Sequence, residues 1–139
     1  MIEYHYEIEF ELPNETYFTD WITRIIDVER ASYAQIDFIF CSDEYLLDLN
    51  MRYLKHDTFT DIITFDYSDG KVISGDIFIS VERLKENAEN FRVELEQELL
   101  RVMCHGVLHL LGYNDKSEAD VLIMREKESQ MIKLFHVEQ

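Results

Sequence analysis

A chain of 139 residues that is 47% hydrophobic and 13% aromatic can bury a substantial core, and one proline with four glycines leaves no flexible linker, so a single domain over 1–139 is expected. Its net charge of −16, from 13 Lys and Arg against 29 Asp and Glu, disfavours indiscriminate adhesion to nucleic acid or anionic membranes without forbidding a local basic groove. No stretch approaches the roughly 18 apolar residues of a membrane span, MIEYHYEIEF lacks the pattern of a leader, and Cys41 and Cys104 are too few for a disulfide framework, so a soluble, cytoplasmic protein with reduced thiols is expected.

In chain order, Ile2, Tyr4, Tyr6, Ile8, Phe10 and Leu12 alternate with Glu3, His5, Glu7, Glu9 and Glu11, the period of a strand buried on one face. Pro13-Asn14 breaks it, and Asn14 can cap a helix whose Phe18, Trp21, Ile22, Ile25 and Ile26 recur at helical spacing. Ala34 to Cys41 reads as a second strand, and Ser42 caps a helix carrying Tyr45, Leu46, Leu49 and Tyr53. Thr60 to Tyr67 and Val72 to Ser80 form a hairpin around Asp69-Gly70. A helix over Val81 to Phe91 follows, then a long one over Glu94 to Leu111 that is apolar nearly all round and therefore central. Ser117 with Asp120 resembles a capping box opening a last helix that packs through Val121, Met124, Met131 and Leu134. Strands ahead of the main helical run favour an α+β fold, a small mixed sheet packed with helices, over a repeating βαβ fold.

The chemistry concentrates in His105-Gly106-Val107-Leu108-His109-Leu110-Leu111-Gly112-Tyr113-Asn114-Asp115. Histidines four apart share one helical face, close enough for both imidazoles to bind one ion. Gly112 can stop the helix in a left-handed conformation, and the turn can return Asp115 as a third ligand. This is the spacing of the metzincin pattern His-Glu-x-x-His-x-x-Gly-x-x-His, with Gly106 in place of the glutamate and Asp115 in place of the last histidine.

Three protein ligands leave a position open, the mark of a catalytic zinc site, although a carboxylate in the set also suits manganese or nickel. Core histidines and ordinary turn chemistry at Asn114-Asp115 are the plainer alternatives. Cys104 adjoins His105 but points about 100° away on a helix. Without a side chain at position 106 to act as base, a conventional metallopeptidase is disfavoured, whereas phosphodiester hydrolysis could use a metal-bound hydroxide with the metal polarising a phosphoryl oxygen, a role that also needs a cation near the phosphate. Arg52 and Lys55, followed by His56, are the candidate phosphate contacts, a solvated helix end being the simpler reading.

Taken together, these residues resemble the YbeY family of bacterial metal-dependent endoribonucleases, whose signature is His-Gly-x-Leu-His-Leu-x-Gly-Tyr-x-His. His105 to Asp115 matches it at every fixed position but the last. The likeness extends to Leu49-Asn50, to Asp57 with Thr60-Asp61-Ile62-Ile63-Thr64-Phe65, and to Gly75-Asp76-Ile77-Phe78-Ile79-Ser80. It implies an α+β fold, a zinc site with His105 and His109 as ligands and Asp115 in the third position, and cleavage of single-stranded RNA. It further implies a part in small-subunit ribosomal RNA 3′-end processing and ribosome quality control. The family's functional arginine, four residues after the asparagine matched by Asn50, is Leu54 here. Asn50 itself is expected to fix local backbone, and Thr60-Asp61 to open a strand. The alternative is a ribosome-assembly or metal-binding factor with little catalysis of its own.

Overall fold

The computed structural model describes every residue except Asp57, Glu138 and Gln139. The Asp57 of the family motif thus lies outside the described residues. The elements run β1 (Ile2–Tyr6), α1 (Glu15–Val28), β2 (Ser32–Cys41), α2 (Asp43–Leu49), a π-helical turn (Asn50–Leu54), β3 (Ile62–Asp66), β4 (Val72–Ser80), α3 (Val81–Phe91), α4 (Leu95–Leu110) and α5 (Glu118–Phe135). The sheet order is β1-β2-β4-β3, with β2 parallel to both β1 and β4 and β3 antiparallel to β4. This is the mixed sheet of an α+β fold, although β1, α1 and β2 form one parallel crossover inside it.

Caps and turns fall where the side chains dictate. The Asn14, Ser42 and Ser117 side chains accept the N–H of Tyr17, Tyr45 and Asp120, opening α1, α2 and α5. A bridge between Asp69 and Val72 closes the β3–β4 hairpin.

The first strand is shorter than its alternation suggests. Tyr6 pairs with Phe40, and β2 ends one residue later, so the ladder has no further partner. Beyond it the chain turns back: the Tyr6 hydroxyl accepts the Leu12 N–H at 3.3 Å, and Phe10 packs on Phe40 with ring centroids 5.0 Å apart. The alternating residues are therefore buried by folding over the sheet end. The second helix is likewise shorter, its Tyr53 falling in the π-helical turn and standing exposed.

Strand alternation divides the sheet between two apolar clusters. Ile36, Phe38, Phe40, Ile77 and Ile79 join α1, α4 and α5 in the main core. Cys41, Ile63, Phe65 and Phe78 meet Leu46 and Leu49 of α2 in a smaller one. Gly106 sets how closely α4 lies on this sheet. A Cβ there would stand 2.8 Å from Ile77 Cγ2 and 3.1 Å from Ile62 Cδ1, so only glycine fits without displacement. A Cβ at position 106 would thus point into the packing between α4 and the sheet.

Candidate metal centre

His105 and His109 sit one turn apart on α4, and the turn after the helix supplies the third group. The Gly112 N–H donates to the His109 carbonyl and the Tyr113 N–H to the Leu108 carbonyl, both at 3.0 Å. Gly112 has φ +105. These are the two bonds and the positive φ of a Schellman ending. Tyr113 is then clasped from outside, its hydroxyl donating to Glu29 at 2.5 Å while Lys127 holds the other oxygen of Glu29 at 3.0 Å. The clasp fixes the direction in which the chain leaves α4, and Asp115 folds back over the helix end.

The ligand atoms converge. His105 Nε2 and His109 Nε2 are 3.0 Å apart, and Asp115 Oδ2 lies 3.3 Å from the first and 3.6 Å from the second. Donors held tetrahedrally at about 2.0–2.2 Å from one ion stand about 3.3–3.6 Å from each other. The two separations to Asp115 fall in that range and the two imidazoles stand slightly closer, and the donor types, two imidazoles and a carboxylate, suit a single divalent ion. On its other side, His105 Nδ1 meets Glu128 Oε2 at 2.6 Å, and Glu128 is 5% exposed. A buried carboxylate in that place holds the ring with its Nδ1 proton outward and its Nε2 lone pair toward the site. Burial and the adjacent His105 lower the His109 pKa, against the opposing pull of Asp115 and a backbone bond with Tyr113. The neutral ring this favours is the form that ligates.

The three groups line a cleft of about 540 Å³ whose other walls include Leu54, His56, Thr60, Asp61, Thr64 and Asp66. Arg52 and Lys55 are not among its lining residues. Arg52 instead pairs with Asp48 at 3.1 Å, one turn earlier, with both side chains more than half exposed. Leu54 does stand in the wall, so the position of the family's arginine faces the cleft without a charge. Among the described residues of the wall, His56 is the one, apart from the candidate ligands, able to carry positive charge. Sequence reasoning noted it only as the neighbour of Lys55. Asn50 fixes the segment as expected: its side-chain amide donates to the Thr58 carbonyl at 2.8 Å and its main-chain carbonyl accepts the His56 N–H at 3.1 Å.

Glu128 and Arg101 were missed by sequence reasoning. Glu128 lies between Met124 and Met131 on the buried stripe of α5, and a carboxylate on such a stripe was the available signal. Arg101 joins Glu98 through two hydrogen bonds of 2.9 and 2.6 Å and reaches Asp61 at 3.4 Å, bracing the edge of the cleft. Cys104 is fully buried and its thiol pKa is pushed up by desolvation, unlike that of a ligand. Another trio, Glu3, His5 and Asp37, also gathers ligand atoms within 4.8 Å. There His5 is already paired with Asp37 at 2.8 Å, a contact that adjacent strands make without an ion.

A mixed sheet carrying a central His-x-x-x-His helix, with a carboxylate returned by the turn that ends it, defines a small α+β protein with a metzincin-like candidate metal centre. The family model described as Endoribonuclease YbeY matches residues 4–136. The chain is 55% identical to Endoribonuclease YbeY of Flavobacterium psychrophilum over 139 residues, covering 100% of this chain and 99% of the relative. Its counterpart from Flavobacterium johnsoniae is also 55% identical, with 100% of both covered. Among solved structures, the solution structure of TM1509 from Thermotoga maritima superposes with a TM-score of 0.69 at 26% identity, covering 97% of this chain and 89% of that one. The chain belongs to the YbeY family.

Proposed function

We propose that residues 1–139 act as one single-strand-specific, metal-dependent endoribonuclease, working in the cytoplasm on ribosomal RNA at the 3′ end of the small-subunit transcript. The observation that carries this reading is the convergence of His105, His109 and Asp115, with ligand atoms 3.0–3.6 Å apart, in an open cleft. The names of the relatives supply the reaction class, and the absence of a base at position 106 argues against peptide hydrolysis. Zinc is the ion favoured by two imidazoles and a carboxylate, and the carboxylate leaves room for manganese or nickel. Bound there, the ion supplies Lewis-acid polarisation of a phosphoryl oxygen and activation of water.

The chain's own residues do the rest. Glu128 holds His105 in the ligating tautomer, and the Tyr113–Glu29–Lys127 clasp places Asp115. His56, in the cleft wall where neither Arg52 nor Lys55 stands, is placed to meet the phosphate.

The test is cleavage of a single-stranded ribosomal RNA fragment. Chelator and His109→Ala should each abolish cutting, and His56→Ala should lower kcat/KM by about 10-fold to 100-fold, within the usual effect of removing one charged contact or proton donor. Undiminished cleavage by His109→Ala protein would defeat the assignment. The lack of Arg and Lys among the described residues of the cleft favours a second reading, a ribosome-assembly factor with little catalysis. That reading instead expects binding to small ribosomal subunits that survives chelation, with no metal-dependent cutting.

A further inference from the structure

A second and larger space, about 710 Å³, adjoins the metal cleft across Thr60 and Asp61, which line both. The two are also joined through Glu128, which stands in the wall of the larger cavity and grips His105 in the smaller. The wall of the larger cavity is not simply acidic. Its carboxylates are engaged, Asp61 and Glu98 by Arg101 at 3.4 and 2.6 Å and Glu128 by His105 at 2.6 Å. Arg125, also on the wall, is exposed and makes no ion pair among the described residues. Two phenyl rings open onto the same space, Phe59 at 52% and Phe91 at 59% exposure. A guanidinium, that of Arg83, lies 5.4 Å from the Phe59 ring centroid.

Exposed phenyl rings cost solvation unless something covers them. An unengaged guanidinium on the same wall selects an anion attached to a flat apolar group. An unstacked nucleotide has that composition: its base offers a π-face to an aromatic ring and its phosphate an acceptor to arginine. The shared Thr60–Asp61 rim places such a nucleotide next to the cleft without a break in the strand.

We propose that this cavity receives one nucleotide of single-stranded RNA flanking the scissile phosphate, with its base against Phe91 and its phosphate toward Arg125. The proposal rests on the endoribonuclease reading and adds a subsite to it. Duplex RNA, whose bases stay stacked, cannot fill the cavity, so the subsite is a source of single-strand preference.

The experiment is steady-state cleavage of a short single-stranded oligoribonucleotide by the metal-loaded full chain, with Phe91→Ala and Arg125→Gln variants. Both side chains are exposed, and matching circular dichroism and unfolding midpoints establish that the variants are folded. Each variant should raise KM by about tenfold or more, the usual effect of losing one stacking or phosphate contact, while changing kcat little. A series of substrates with one abasic nucleotide, moved along the strand, should contain a position at which the parent also loses about tenfold and Phe91→Ala costs nothing further. Parent cleavage with unchanged KM in both variants, or an Phe91→Ala effect independent of every abasic position, would overturn the subsite alone. A parent that neither binds nor cuts the oligonucleotide would overturn the subsite and the endoribonuclease reading together.

Discussion

His105 is held at both ring nitrogens, by Glu128 on one side and by the convergence with His109 and Asp115 on the other. Outer partners of this kind tune affinity by fixing tautomer and ring orientation. Glu128→Gln, which keeps the shape but loses the charge, should weaken metal binding about 10-fold to 100-fold in a chelator-competition titration. An unchanged affinity would show that α5 plays no part in the site. The two histidines were legible because i and i+4 on a helix is a short-range geometric rule. Asp115 was legible only through Gly112, whose left-handed turn could be foreseen from spacing. Glu128 lies 23 residues from His105 and reaches it only through the packing of α5 on α4, which no local pattern encodes. Arg52 and His56 show the same limit, since charge in the sequence did not reveal which side chain of the 50–56 segment would line the cleft.

At the scale of elements, α4 is central because it packs on β3 and β4 through Gly106 and against α5 through its other faces. Gly106→Ala puts a methyl 2.8 Å from Ile77 Cγ2, an atom close to its own backbone and slow to yield. The overpacking cost of about 1–3 kcal/mol should exceed the helix-propensity gain of about 1 kcal/mol, leaving a net loss of about 1 kcal/mol in denaturant unfolding. A variant more stable than the parent would show that the helix and sheet part without strain.

The turn after α4 gives a pH signature. Burial opposes ionisation of Glu29, but Tyr113 and Lys127 outweigh it and hold its pKa below the ordinary 4.5. A carboxyl with a lowered folded pKa contributes stability in full above its unfolded value, and loses it as pH falls through the folded one. Thermal unfolding between pH 7 and pH 3 should therefore decline less steeply for Glu29→Gln than for the parent. Parallel declines would remove the clasp from the acid response. Helix caps, the hairpin turn and the core stripe of α1 were all legible because each is a local rule. The end of β1 was not, because it is set by where β2 stops.

At the scale of the whole molecule, a chain of net charge −16 must recognise RNA locally, against its overall field. Asp66 and Asp115 line the cleft without an Arg or Lys partner among the described residues, so a cation bound among His105, His109 and Asp115 would change both its chemistry and its attraction for phosphate. The α+β architecture was legible from the order of strand and helix patterns. The parallel crossover at its start was not, because alternation gives no strand direction.

The most direct test of the central claim is elemental analysis of the purified parent beside His109→Ala and Asp115→Ala, with RNA cleavage measured on the same samples. The account predicts close to one divalent ion per parent chain, loss of that ion and of cleavage in His109→Ala, and partial or complete loss of both in Asp115→Ala. Full metal content in both variants, or full cleavage from protein stripped of metal, would contradict it.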